Sequence, residues 1–561
     1  MSDQLENIMV QLGTGRWNIL HFITVGFGAA IPTPHGLASA FFSPKIDFAC
    51  TPSAAAALPP GPNDTSPTCS YFTEDPVTGG FEEEQCTEWD FDNSTFRSTV
   101  TSEYNLVCGR EYLRAIYQSM YMFGVFMGSP INGFLADRYG RKPLVVGGSL
   151  MFTAIAICSV WLTNFSSLLA ARFLVGLGHS TLLKTAYILA LEVSAPRVRS
   201  AVGVAILMPW SINTVIFSGV AYLIRDWRML QLVMSLLGLL HIPGLWLIDE
   251  SPRWLAVRGQ HQRALSILKK AARWNKVTLP PDDELIAILK SGKDEVAASR
   301  ASLHKAMSTR IKEALMNLAI LFRTPRLRKI TLICYLDYLV VAMVYFGLSL
   351  SGASLSGNVF VYMALMGLVE MPPCVIVTYQ VARLGRRVTT AMNFTISGAV
   401  VLALLFIPED LKWLTVTLAM LGKMSISGAF NAINLFASEL FPTEVRTRGI
   451  NTSFMMSRMG AMASPFITDL LGSVYPWSPP VVFGVAALLA GLGAITLPET
   501  LGLALSDTVA HLESKEIATK TRGFLRLPTK DPEPPKDKKA SLSDLEGQNL
   551  SILRREKDVQ Q

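Results

Sequence analysis

The sequence predicts an all-α membrane protein in which twelve transmembrane helices form two pseudo-symmetric six-helix bundles. Three observations predict it: an excess of apolar residues, twelve apolar stretches of membrane-spanning length, and a set of charged motifs repeated at a fixed offset. Half of the 561 residues are hydrophobic, and 40 glycines bring the apolar share to about 57%, where soluble domains reach roughly 45–50%. Charged residues make up 17% against a usual ~25%, and the mean hydropathy is +0.35. This composition excludes a disordered chain, a coiled coil and a small disulfide scaffold, and it argues against a soluble enzyme.

Crossing ~30 Å of hydrocarbon takes about 20 apolar residues per helix. Stretches of that kind lie at 17–42, 112–135, 144–163, 168–191, 201–224 and 229–248, and again at 330–350, 359–379, 388–407, 411–435, 449–471 and 481–497. We number them spans one to twelve. The first is too long, and too poor in a small-residue cleavage site, for a removable signal peptide. The spans divide the chain into a first bundle over 1–249 that includes a loop at 43–111, a central loop at 250–328, a second bundle over 329–498 and a tail at 499–561.

Charge orients these elements. The loop at 43–111 holds 3 Lys/Arg against 12 Asp/Glu, and 250–328 holds 16 against 7. The short basic turns after spans two, four, eight and ten fall on the same side as the central loop, so that side is expected to be cytoplasmic, with both termini there. The acidic loop is then extracellular. It contains Cys50, Cys69, Cys86 and Cys108, four cysteines that allow three disulfide pairings, and the glycosylation sequons at Asn63 and Asn93. Cys158, Cys334 and Cys374 fall within spans, as packing residues. Beyond Ser514 the chain is polar, proline-bearing and lysine-rich, the composition of a disordered tail.

An internal repeat carries the functional argument. Asp137-Arg138-Tyr139-Gly140-Arg141-Lys142 after span two recurs as Ala382-Arg383-Leu384-Gly385-Arg386-Arg387 after span eight, and Glu192 with Arg199 after span four recurs as Glu439 with Arg446 after span ten. Two matches at nearly one offset imply two related six-span halves about an axis along the membrane normal. Halves of that kind enclose a site near the midplane and rock around it. The repeat therefore points to transport.

Several motifs then resemble a known family. Gly133-Phe-Leu-Ala-Asp137-Arg-Tyr-Gly-Arg-Lys142 resembles the loop signature of the major facilitator superfamily, and Asp249-Glu-Ser-Pro-Arg-Trp-Leu255 resembles an element of its sugar and organic-ion branches, with Asp249 in place of proline. Leu106-Val-Cys108, Phe322-Arg-Thr-Pro-Arg-Leu-Arg328, Ser438-Glu-Leu-Phe-Pro-Thr443 and Leu497-Pro-Glu-Thr-Leu-Gly502 narrow the resemblance to the organic ion transporters of solute carrier family 22. The resemblance runs to about residue 513. It implies a major facilitator fold in the plasma membrane, a uniporter or exchanger working by alternating access, and small organic ions as substrates, with a co- or counter-ion as a further partner.

Charges at membrane depth are costly and mark function, which singles out Arg172, Lys184, Asp337, Glu370, Lys423 and Arg458. Arg458 stands first. It lies roughly 12 Å into span eleven at about 1.5 Å per residue, and its guanidinium presents a fork that fits a carboxylate. By resemblance, Ser457-Arg458-Met-Gly460 matches the segment where anion and carnitine carriers have arginine and cation carriers have aspartate. That favours an organic anion or zwitterion, with pairing to an acid of span seven or eight as the structural alternative. Glu370, just before Met371-Pro372-Pro373, and Asp337 would favour a cation if both stood unpaired in the cavity; Glu370 resembles the acid of cation carriers, and Cys374 stands where anion carriers often have lysine. Asp337 has an alternative as the partner of Lys184 or Arg458, or as a proton-coupling group. Lys423 and Lys184 are expected either to bind substrate or to pair internally. Trp210, Tyr338, Tyr345 and Tyr362 are candidates to line the cavity, with ordinary helix packing as the alternative for each, and His179 reads as a hydrogen-bonded polar residue.

Asp137, Arg138, Arg141, Glu192, Arg199, Arg383, Arg386, Glu439 and Arg446 cluster at the ends of the two halves and are expected to gate, forming salt bridges when that side closes. No His-Glu-x-x-His, Gly-x-Ser-x-Gly, Walker loop or Cys-x-x-Cys pair occurs. The sequence thus calls for no enzyme activity, metal, cofactor or nucleic-acid partner. A receptor or scaffold that has kept this architecture is the remaining alternative.

Overall fold

The protein is described by a computed structural model that covers residues 2–51, 69–74, 81–206, 208–290, 319–408, 410–501, 508–510 and 512–513. Asn63 and the tail from 514 onward lie outside the described residues.

Helices occupy all twelve expected spans. Span one is shorter than expected: its helix runs Arg16–Ala30 and stops, where hydropathy continues to 42, because Pro32 and Pro34 lack the N–H groups that would extend it. The carbonyl oxygen of Ala30 is instead met by the Thr33 hydroxyl and the Asn213 amide, both at 2.7 Å, and the chain continues through the short turns Thr33–Gly36 and Ala38–Ala40. Span two is Tyr112–Tyr139. Spans three to six are Arg141–Trp161, Phe165–Glu192, Ala201–Leu223 and Trp227–Leu247, and spans seven to ten are Pro325–Leu350, Val359–Leu384, Arg386–Phe406 and Lys412–Leu440. Span eleven is Arg446–Pro465 continued by a π turn, Phe466–Leu471, and span twelve is Ser478–Ile495. Nine of these helices, counted among the described residues, are long and apolar enough to cross a bilayer on composition alone. Spans one, two and eleven fall outside that set, the first being short and span eleven carrying Asn451, Thr452, Ser453, Ser457 and Arg458. Span eight is interrupted at Glu370 and Met371, where Pro372 and Pro373 withhold two backbone donors.

The two halves share one core at the face bearing the 43–111 loop. There Phe41 stacks on Phe360 across the halves at 5.5 Å and meets Phe217 edge-on at 5.0 Å. The Ser218 hydroxyl donates to the Phe360 carbonyl, and that of Ser119 donates to Met462 O at 2.8 Å. A partly buried ion pair, Arg114 to Asp469 at 3.3 Å, ties the start of span two to the π turn of span eleven.

The opposite, basic face carries a second apolar cluster under the first half. The helix Ser2–Leu12, unanticipated by hydropathy, buries Leu5, Ile8, Met9 and Leu12 at helical spacing against the helices His261–Asn275 and Asp282–Lys290. Asp249 anchors this layer, accepting from Trp17 Nε1 and pairing with Lys270, both at 2.9 Å.

The outer loop forms two antiparallel ladders, β1 Phe48–Cys50 with β4 Trp89–Phe91 and β2 Ser70–Glu74 with β3 Phe81–Gln85. Of the three pairings open to the sequence, the structure makes Cys50–Cys86 and Cys69–Cys108, and Asn93 is exposed beside the β4 end. Peptide mapping without reductant should recover these two cross-links; a Cys50–Cys69 or Cys50–Cys108 peptide would contradict the arrangement.

Candidate functional site

Phe454 and Arg458 stand one turn apart on span eleven, so their side chains share a face. The Arg458 guanidinium carbon lies 5.0 Å from the centre of the Phe454 ring. Lys184, from span four in the other half, reaches the same ring, with Nζ 4.5 Å from its centre. It stands in a π turn, Thr181–Thr185, a local widening of the helix of the kind that recurs at functional positions. Among the described residues neither cation has an ion-pair partner, and Arg458 Nε is buried without a hydrogen-bond acceptor. Pairing of Arg458 with an acid of span seven or eight is therefore not made. Two like charges from opposite halves, held on one ring without a counter-charge, attract an anion. Beside them His179 accepts or donates at Nδ1 to the Tyr121 hydroxyl at 2.8 Å, stacks on Trp210 at 6.1 Å, and leaves Nε2 buried and unpartnered.

Glu370 is not a free acid. Lys423, fully buried on span ten, pairs with it at 3.0 Å, the Tyr345 hydroxyl donates to it at 2.5 Å and Ser211 of the first half donates at 3.1 Å. Lys423 is itself spent: it donates to Ser349 Oγ at 2.5 Å and Tyr345 O at 3.2 Å, and lies over the Tyr345 ring. Trp210 Nε1 closes the network by donating to the Tyr345 hydroxyl at 3.2 Å. The condition under which Glu370 and Asp337 would favour a cation, that both stand unpaired, is thus met by Asp337 alone. Asp337 is fully buried on span seven with both carboxylate oxygens unpartnered, and neither Lys184 nor Arg458 pairs with it.

The aromatic candidates separate. Trp210 and Tyr345 bridge the halves, and Tyr338 donates to Asn434 at 2.8 Å while meeting the Phe454 ring at 6.2 Å. Tyr362 belongs to packing, its hydroxyl on Leu348 O at 2.7 Å and its ring against Gly352. Arg172 is also internal, sandwiched between Tyr117 and Tyr121 and bonded to His35 O at 3.0 Å and Gln118 at 3.2 Å.

At the basic face the charges pair differently from their order in sequence. Glu192 pairs with Arg141 at 3.3 Å rather than with Arg199, which reaches Glu6 at 3.5 Å. Glu439 pairs with Arg386 at 3.0 Å rather than with Arg446, which bonds Phe441 O and Thr443. The reason is geometric: each arginine just after the Gly140 or Gly385 turn lies beside the end of span four or ten, whereas Arg199 and Arg446 begin the next helix. Gly140 and Gly385 have φ of +109° and +86°, which a side chain resists, and in each the space a Cβ would fill is taken by a carboxylate, Glu250 or Glu499. Glu250 accepts the backbone N–H groups of Arg141 and Lys142, and Glu499 those of Arg386 and Arg387. Burial raises Glu250 above the usual carboxylate range despite these donors. Burial also pulls Glu499 upward, but four backbone donors outweigh it and leave this carboxyl below its usual value. Asp137 is largely exposed, its carboxylate pairing with Arg141 one turn on, while Arg138 and Arg383 lie over Tyr139 and Tyr379. Among the described residues these pairs are made within each half, and none bridges the two clusters in this conformation.

Residues 87–510 match the family model described as "Sugar (and other) transporter". The chain is 34% identical over 499 residues to the organic cation transporter protein of Drosophila melanogaster, spanning 86% of this chain and 89% of that one. It is 30% identical to organic anion transporter 3 of Sus scrofa (90% and 93% covered) and 30% identical to solute carrier family 22 member 6 of Danio rerio (94% and 96% covered). The chain belongs to the sugar (and other) transporter family, within solute carrier family 22. Its fold matches the inward-open xylose transporter XylE from E. coli, with a TM-score of 0.57 at 15% identity over 89% of this chain and 98% of that one. This solute carrier is therefore a multi-pass membrane transporter of the major facilitator fold, as its motifs imply.

Sequence reasoning missed four of the transporter's features: Phe454 beneath the two cations, the Arg114–Asp469 tie, and the carboxylates Glu250 and Glu499. Asp469 was detectable as a charge inside the eleventh apolar stretch. Phe454 was not, because one phenylalanine on an apolar helix carries no signal of its own.

Proposed function

We propose that this solute carrier moves small organic anions or zwitterions across the plasma membrane by alternating access, with a carboxylate held between Lys184 and Arg458. The observation that supports this most is the meeting of those two unpaired cations, one from each half, on the Phe454 ring. An anion seated there would join the halves at their centre, while Glu370, already neutralised by Lys423, offers no free charge to a cation. The loop face is held shut by Arg114–Asp469 and the Phe41–Phe360 stack, which supports reading this conformation as closed on that side. On this reading the bundles are 1–249 and 329–498, both termini, the 250–328 loop and the tail at 499–561 are cytoplasmic, Asn63 and Asn93 carry glycans, and the protein performs no enzymatic step.

The test is uptake of labelled para-aminohippurate, carnitine and tetraethylammonium, side by side, in cells expressing the protein. Uptake of either carboxylate above that of tetraethylammonium supports the reading; preference for tetraethylammonium refutes it. A second reading, an organic cation carrier, draws on the Drosophila relative's name and on the unpaired Asp337.

The basic-face pairs are assigned to gating. Arg386→Ala, which removes the partner of Glu439, is expected to lower kcat severalfold with KM within about twofold, because the pair lies at the basic end of the second half, away from Lys184 and Arg458, and the effect falls on the conformational step. Lost binding at normal turnover would exclude that role.

A further inference from the structure

We propose that Asp337 is the proton-carrying group of a proton–anion symport, a reading that rests on the anion site proposed above. Asp337 is fully buried, and neither carboxylate oxygen has a hydrogen-bond partner. An ionised carboxylate taken out of water without a partner costs several kcal/mol, so a buried acid of this kind either carries a proton or acquires a cation. Among the described residues no cation pairs with it in this conformation. On its own helix the titratable neighbours are Cys334, buried one turn back, and Tyr338, whose hydroxyl is donated to Asn434. Span twelve, packed against span seven, contains no titratable residue, nor do the short segments Ala38–Ala40 and Gly352–Leu355. Span ten brings Lys423 and Glu439, each committed to an ion pair, and Lys412 at its far start. Span eleven brings Arg446 and Arg448 at its basic end, Asp469 tied to Arg114, and Arg458 on the Phe454 ring.

The position of Asp337 gives the unpaired charges a use. The next residue, Tyr338, meets the same Phe454 ring that holds Lys184 and Arg458, so Asp337 stands one residue along span seven from the junction of spans four, seven and eleven. With Asp337 protonated, the cations are free for a substrate carboxylate. When the anion leaves, the O–H bond of Asp337 breaks, its proton is released to the same side, and the carboxylate takes the place of the anion as counter-charge to a freed cation. The empty carrier then returns with the same net buried charge as the loaded one. One proton accompanies one monovalent anion, and no charge is moved. Exchange of one anion for another needs no proton, because the cations are never empty during the crossing.

The experiment uses the purified full chain in liposomes with labelled para-aminohippurate. Exchange is read in vesicles preloaded with the unlabelled compound at equal pH, and net uptake in empty vesicles, above the level of protein-free vesicles, with and without a gradient of one pH unit, acid outside. The wild type is expected to exchange, and to accumulate the label about tenfold under the gradient, since one pH unit of proton driving force corresponds to a factor of about ten. Asp337→Asn, fixed in the neutral form, is expected to keep exchange and to lose the gradient-driven uptake. Wild-type exchange with net uptake indifferent to the gradient would overturn the proton coupling and leave the anion site standing. Gradient-driven uptake retained by Asp337→Asn would overturn the assignment to Asp337. Absence of both exchange and uptake in the wild type would overturn the anion reading together with this one. If the variant does not enter liposomes, the wild-type comparison decides the coupling, and Asp337→Glu, which keeps the titrating group, is expected to retain the gradient response.

Discussion

Arg458→Asp is expected to abolish uptake of para-aminohippurate and carnitine while the protein still reaches the cell surface. Truncating or inverting one partner of a desolvated charge pair costs about 2–5 kcal/mol of binding, a loss of some thirtyfold to several thousandfold. The inverted charge does more than remove an attraction: it stands beside Lys184 on the Phe454 ring and supplies the counter-charge that the substrate would otherwise bring. The site would then be self-neutralised, folded and empty. Lys184→Gln is expected to weaken uptake less, since Arg458 offers two parallel donors and lysine a point charge. Surface biotinylation alongside uptake separates lost binding from lost protein. Undiminished anion uptake by Arg458→Asp at normal surface density would remove Arg458 from the site.

The second large effect concerns Glu370 and Lys423. Lys423 is fully buried and Glu370 nearly so, and removal of one partner leaves a buried charge uncompensated, at a cost of about 3–5 kcal/mol. Lys423→Met is therefore expected to lower thermal stability in detergent sharply and to reduce the amount at the cell surface. Combining it with Glu370→Gln should recover most of the loss, because both charges then disappear together, and the amide can accept from Tyr345 at its oxygen while its nitrogen donates to the Ser211 hydroxyl. The double variant should also retain anion uptake if the pair serves to join spans five, seven, eight and ten rather than to hold substrate. A double variant no more stable than the worse single one would show that the two charges do not compensate each other.

Both expectations depend on contacts that the sequence announces unevenly. The spans were legible because a bilayer imposes a length and an apolar composition on any helix that crosses it. The repeat was legible because the turns after spans two and eight reuse the same glycine and charges, with Arg141 and Arg386 in matched positions. Proline decided where legibility stopped. Hydropathy carries span one on to residue 42, but Pro32 and Pro34 end its helix at Ala30, and Pro372 and Pro373 break span eight beside Glu370. Among the site residues, a charge inside an apolar stretch marked Arg458, Lys184, Asp337, Glu370 and Lys423, and the structure buries all of them but Lys184, which is half-buried. Which of them pair was not readable, since Lys423 and Glu370 lie on different helices and meet only in the fold. The same holds at the basic face, where adjacency in sequence suggests Glu192 with Arg199 but packing joins Glu192 to Arg141. The amphipathic helix Ser2–Leu12 escaped because a single eleven-residue helix is too short to register against twelve longer apolar stretches.

The central claim, that the halves move about a shared site so that one face closes as the other opens, is tested most directly by distances across both faces. Spin labels would be placed at Tyr112 and Val474 on the loop face and, in a second protein, at Tyr139 and Leu384 on the basic face. All four are exposed positions, one on each half, and in both proteins Cys158, Cys334 and Cys374 would be replaced by serine. Double electron–electron resonance, with and without saturating para-aminohippurate, then reads each pair. The account predicts opposite changes: where one distance distribution shifts longer, the other shifts shorter. Both pairs lengthening together, or neither changing while the labelled proteins still transport, would contradict it.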